Sequence, residues 1–158
     1  MGAAKAPRAP SPQREPGADL DAVAHGVIGA AIAVHRVLGP GFLEAVYEEA
    51  LAYELSLLGI PFSRQVDVPI RYKDRIVGRH RLDLLVDGRL VVELKAVDAV
   101  SEIHTAQVLS YLQATGLPLG LVINFNVALL RRGIKRIVSS QSLGDLGGLG
   151  ALAAKTQS

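Results

Sequence analysis

A chain of 158 residues, 49% of them apolar, can build one domain with a proper core and is too short for two. The absence of cysteine excludes a disulfide framework and any thiolate metal site, so a metal would have to be held by oxygen or imidazole. A formal net charge of +2 does not announce nucleic acid, no apolar stretch reaches the roughly 18 residues of a bilayer span, and no signal-peptide core is visible, so a cytoplasmic protein without a membrane partner is expected.

Residues 1–19 are rich in Pro, Ala and Arg without apolar periodicity and predict a disordered tail. Leu20, Val23, Val27, Ile28, Ala31, Val34 and Leu38 then keep helical spacing until Gly39-Pro40-Gly41 ends it. A second helix is predicted from Phe42 to Leu58, with Leu43, Val46, Tyr47, Ala50, Leu51 and Leu55 inward and Gly59 at its end. From there the period changes to alternation. Gln65–Tyr72 reads as a strand, Lys73-Asp74-Arg75 as a turn, Ile76–Val86 as a second strand and Leu90–Val97 as a third, with Asp87-Gly88 as a hairpin signal. Ser101 can cap a helix running to Thr115, closed by Gly116 and Pro118. Leu119–Asn124 reads as a strand buried on both faces, Ile134–Val138 offers a last short strand, and residues 139–158 form a flexible tail. The order α-α-β-β-β-α-β predicts one α/β domain over residues 20–138 with a mixed central sheet, in which three strands form an antiparallel meander and a fourth returns through a helical crossover.

Arg81-Leu82-Asp83 and Val92-Glu93-Leu94-Lys95 set ionisable groups into otherwise apolar strands, where an isolated charge is costly and needs a partner or a cation. If Val86-Asp87-Gly88 is a three-residue loop, Leu85 pairs with Arg89, Asp83 lies opposite Val91, and Asp83, Glu93 and Lys95 share one sheet face. A two-residue Asp-Gly turn would put Asp83 on the other face. On a shared face the two carboxylates, diagonal at roughly 7–8 Å, converge on one hard cation, for which Mg²⁺ fits best and Mn²⁺ can substitute. Such a cation polarises a phosphoryl oxygen and activates water, while Lys95 can orient that water or offset developing charge. The plainer alternative is ion pairing of Asp83 and Glu93 with Arg79, Arg81 or Lys95.

Charge is unevenly spread. Residues 64–89 hold seven Arg/Lys against four acids and residues 131–136 hold four basic residues, whereas residues 42–58 hold four glutamates and no base. Arg64, Arg71, Arg79, Arg131 and Arg132 are candidates to track a phosphate backbone, although a solvated mixed-sign surface explains the same pattern.

Residues 28–138 resemble the GxxExxY protein family, whose motif here reads Gly41-Phe42-Leu43-Glu44-Ala45-Val46-Tyr47, flanked by His35-Arg36 and followed by Ile123-Asn124-Phe125-Asn126. That family is grouped with the PD-(D/E)xK nuclease superfamily, so the resemblance implies a restriction endonuclease-like core. It also implies roles for Asp83 as the aspartate of the motif and for Glu93-Leu94-Lys95 as its ExK, with the Leu94 backbone carbonyl as a further metal ligand. Glu44 is similar to the acid on the helix before the first strand, and Gln107 to Tyr111 is similar to the QxxxY motif of the RecB-like branch. Each has a simpler reading: Tyr47 and Tyr111 as core aromatics, Glu44 as a carboxylate favoured by its helix dipole, and His35, His80 and His104 as surface residues. The expected function is Mg²⁺-dependent hydrolysis of DNA phosphodiester bonds. The alternatives are an inactive nucleic-acid-binding module and a protein-interaction or assembly unit, which can be a homo-oligomer. No GxSxG, GxxxxGK[ST], HExxH or GxGxxG is present, so esterase, NTPase, zincin and dinucleotide readings lack their usual parts.

Overall fold

The computed structural model describes residues 17–139, so the two expected tails lie almost wholly outside the described residues. Helix α1 (Ala18–Leu38) carries Asp19 and Asp21 in its first turn and His35 and Arg36 in its last, each sign favourable to the helix dipole. Its buried stripe of Leu20, Ala24, Val27, Ala31 and Val34 recurs every three or four residues. At 21 residues α1 is, by length and composition only, long and apolar enough to cross a bilayer, contrary to the expectation that no segment is. In the fold that apolar stripe belongs to the core, packed with α2 and the sheet.

Helix α2 (Glu44–Leu57) buries Tyr47, Leu51 and Leu55. Leu43 and Val46, expected inward, are exposed, because Leu43 precedes the first turn and the buried stripe begins at Tyr47. Five strands follow: β1 (Phe62–Tyr72), β2 (Arg75–Val86), β3 (Leu90–Lys95), β4 (Leu119–Asn124) and β5 (Ile134–Val138), with α3 (Glu102–Thr115) between β3 and β4 and a 3-10 turn at Leu130–Gly133 before β5. They form one sheet in the order β1-β2-β3-β4-β5, with β3 and β4 parallel and the other pairs antiparallel. The α/β class, the mixed sheet and the α3 crossover are those expected from the element order.

Each face of the sheet has its own apolar layer. Under α1 and α2 lie Leu84, Val86, Leu90, Val92, Leu94, Leu121 and Ile123. Under α3 lie Val68, Leu82, Val91 and Val122, packed on Val108, Tyr111 and Leu112. Gly120 lets α3 approach β4 closely, since a Cβ built there would stand 2.6 Å from a Val108 methyl.

Besides a register shift between Ile70 and Arg71, strict alternation fails near the base of the β1–β2 hairpin. Leu82 and Leu84 are two residues apart on β2, yet they belong to opposite layers. Phe62 and Val66 on β1 also belong to opposite layers. Between the latter pair Gln65 adopts φ 52°, a left-handed backbone unusual for a non-glycine residue. The β1–β2 ladder pairs Arg64 with Leu84 and Val66 with Leu82, and skips the intervening Gln65 and Asp83. The hairpin therefore turns over at the position of Asp83.

Candidate active site

The β2–β3 loop decides how the two carboxylates meet. Val86 pairs with Leu90, so the loop is Asp87-Gly88-Arg89, one residue later than the expected Val86-Asp87-Gly88. Asp87 and Gly88 both take positive φ, and the Arg89 N–H donates to the Val86 carbonyl, which leaves Val86 free to stay in the strand. Leu85 thus faces Val91 rather than Arg89, and the register extended by one residue beyond Leu84–Val92 puts Asp83 opposite Glu93 instead of Val91. The ladder itself ends at Leu84–Val92, so Asp83 and Glu93 are not a ladder pair; they are neighbours because the Asp83 N–H faces Glu93 Oε1 at 3.4 Å.

At the turnover Asp83 reaches two environments. Its Oδ2 accepts the Leu94 N–H at 2.8 Å, and its own N–H points to Glu93 Oε1 at 3.4 Å. It also lines a cavity of about 530 Å³ shared with Phe42, Glu44, Glu48, Gln65, Leu94 and Ala96. Glu93 is only 5% exposed and lies on the α3 side of β3, next to Val91 in the alternation. Burial, with the like charge of Asp83 second, pushes the Glu93 carboxyl up to about 8, and the Lys95 ammonium opposes this.

The plainer ion-pair reading is not what the structure holds. Among the described residues no Arg or Lys lies within 4.0 Å of either carboxylate; the imidazole of His80, whose Nε2 is 4.0 Å from Glu93 Oε1, comes to that limit. Arg81 bonds Asp67 instead. Two adjacent carboxylates, one buried and neither paired with Arg or Lys among the described residues, form a donor set of hard oxygens whose chemistry suits a divalent cation. Among the described residues no group of three or more His, Asp or Glu converges as a complete cage. Mg²⁺, which keeps several waters and needs only one or two carboxylates, fits such a set. Lys95 is half-buried and close enough to act electrostatically on both Glu93 and His80.

The GxxExxY segment is a device for presenting α2. The Tyr47 hydroxyl donates to the Gly39 carbonyl at 2.6 Å and accepts the Phe42 N–H at 3.2 Å, tying down the loop before the helix. The ring is fully buried and stacked on Phe125 at 4.4 Å, so it is a core aromatic with a satisfied hydroxyl. What it fixes is the start of α2, whose Glu44 lines the same cavity as Asp83. Glu48, one turn further on, also lines it and is held by Arg64 and by Gln65 Nε2. Asn124, buried at the end of β4, fixes the chain beyond Lys95: it donates to the Val97 carbonyl and accepts the Val97 N–H.

Not all expected site residues converge. Tyr111 does, by way of His80: the rings stack at 3.7 Å between centroids and the hydroxyl lies 2.9 Å from His80 Nδ1. Burial and then the Glu93 and Asp83 charges push its phenol up to about 12. Gln107 is exposed one turn earlier on α3, and its side chain makes no hydrogen bond among the described residues. His104 accepts the Ser101 N–H at the start of α3, a capping role. Arg64 is committed to Glu48 and Glu49. Arg71 and Arg79 are exposed on the β1–β2 hairpin, and Arg131 and Arg132 on the 3-10 turn, with no ion pair to the carboxylates among the described residues. Residue types alone gave no reason to single out Gln65 or to separate His80 from the other histidines, because their roles come from the turnover of the hairpin.

The family model that matches this chain is the PD-(D/E)XK nuclease superfamily, over residues 21–137. The chain belongs to that superfamily, whose α/β core with a mixed sheet is the one described above. No curated protein and no solved structure matches it.

Proposed function

We propose that the domain is a Mg²⁺-dependent nuclease that hydrolyses DNA phosphodiester bonds. The observation that carries this reading is the closeness of Asp83 and Glu93, the Asp83 N–H facing Glu93 Oε1 at 3.4 Å, with no ion pair to Arg or Lys among the described residues. Asp83 and Glu93 would hold the cation, with the Leu94 backbone carbonyl as a further ligand; Glu44 lines the Asp83 cavity without closing a three-carboxylate group and would act from its rim. A bound Mg²⁺ supplies polarisation of the phosphate and activation of the attacking water. Lys95 orients that water and offsets the charge that develops on the phosphate, while Leu94, through its N–H, keeps Asp83 in place. The exposed arginines of the hairpin and the 3-10 turn track the backbone of the nucleic acid. The narrower likeness to GxxExxY proteins is in line with this, since Gly41, Glu44 and Tyr47 together bring an acid to the rim of the Asp83 cavity.

The test is an assay on single- and double-stranded DNA with Mg²⁺ or Mn²⁺, run beside Lys95→Ala. Cleavage that needs the metal and falls by about 10²-fold or more in the variant supports the reading. Cleavage indifferent to Lys95→Ala, or its absence under every metal, contradicts it.

A further inference from the structure

His80 joins β2 to α3 beside the carboxylates. It lies three residues before Asp83 on β2, with its ring flat against Tyr111, 12° between planes. Its Nδ1 is engaged by the Tyr111 hydroxyl at 2.9 Å. Its Nε2 is buried, has no hydrogen-bond partner among the described residues, and faces Glu93 Oε1 at 4.0 Å. A buried polar nitrogen without a partner is uncommon and calls for a reason.

From this geometry we infer that His80 is the positioning residue of the metal site, its Nε2–H donating to the outer oxygen of Glu93 once a divalent cation draws the other oxygen away. The inference rests on the metal-binding reading above and extends it to a residue that reading does not use. A tyrosine hydroxyl that donates to Nδ1 leaves the ring proton on Nε2, the atom that faces the carboxylate. Stacking holds the ring plane, so a Glu93 rotation of about 1 Å at the oxygen brings the pair into hydrogen-bond range. Tyr111, His80 and Glu93 then form a relay in which α3 sets the direction of a ligand carried by β3. Outer partners of this kind align ligands and change affinity for the cation without touching it. Tyr111 acts at one further remove, by fixing the tautomer and plane of His80.

Calorimetric titration of Mn²⁺ into the full chain tests this, with His80→Phe, His80→Asn, His80→Gln and Tyr111→Phe compared against Asp83→Asn. A glutamine amide reaches where Nε2 stood, whereas an asparagine amide reaches only where Nδ1 stood. The expected result is a Kd weakened about 10- to 100-fold in His80→Phe and His80→Asn, and largely restored in His80→Gln. Tyr111→Phe keeps the stacked ring, loses the hydroxyl and weakens binding less than His80→Phe. Should His80→Phe not fold, the Asn and Gln pair carries the comparison. Equal affinity in all His80 variants, or His80→Gln as weak as His80→Asn, overturns the positioning role. If those results come with Mn²⁺ binding that Asp83→Asn abolishes, the metal site itself stands. If the unsubstituted chain binds no Mn²⁺, both readings fall together.

Discussion

Glu93 concentrates the energetic conflict of the molecule in one side chain. Its carboxyl is pushed up to about 8 against an ordinary 4.5, so the folded protein binds its proton more tightly than the unfolded chain does. Stability from this group is present in full below about 4.5, is lost as pH rises, and levels off above about 8. His80, depressed below its ordinary 6.5 mainly by burial, contributes the opposite slope around that value. The signature is therefore a difference: in metal-free urea denaturation, Glu93→Gln should lack the decline between pH 5 and 8 that the unsubstituted chain shows, values set by the two limits above. A cation reverses the sign by displacing the proton, so Mn²⁺ affinity should climb through the same window, which calorimetry at several pH values checks. Sequence alone singles out Asp83, Glu93 and Lys95, because charge in apolar strands is conspicuous, and the structure brings Asp83 and Glu93 side by side. It does not show His80, which looks like any histidine until the hairpin turns over and brings it beneath Tyr111.

At the scale of elements, the site depends on two clamps. Tyr47 ties the Gly39–Phe42 loop to α2 through both roles of its hydroxyl, and Asn124 ties the chain after Lys95 to β4. Tyr47→Phe removes the partner of the half-buried Gly39 carbonyl and of the Phe42 N–H, both within reach of water, and should cost about 1 kcal/mol in chemical denaturation. Asn124→Leu strands both polar groups of Val97 and should cost more, about 2 kcal/mol. A third check is Gly120→Ala, where the new methyl meets Val108 at 2.6 Å; overpacking of about 1–3 kcal/mol is expected from the thermal midpoint and van't Hoff enthalpy. Helix and strand order was legible from periodicity, and β4 and β5 have the bounds that periodicity suggests. The register at Asp87-Gly88 was not, since loops that differ by one residue use the same two amino acids. Nor was the crossover at Gln65 and Asp83, because period-two reasoning assumes a strand keeps one face, and only the left-handed backbone of Gln65 breaks it.

For the whole molecule, the long β1–β2 hairpin separates two jobs. Its base joins the sheet through only three residue pairs with β3 and holds the carboxylates, while its outer part carries exposed Arg71 and Arg79. If those arginines contact phosphate, Arg71→Ala and Arg79→Ala should each lower the slope of log affinity against log salt by about 1 and leave metal affinity unchanged. Fluorescence anisotropy on labelled DNA across salt concentrations reads this out. Slopes that do not move assign phosphate tracking elsewhere. The proposed divalent cation at Asp83 and Glu93 is measured most directly by anomalous diffraction from a crystal soaked in Mn²⁺. The predicted result is a single strong peak bridging the Asp83 and Glu93 carboxylates, lost in Asp83→Asn. A map with no peak there, at full soak and with both carboxylates ordered, would contradict it.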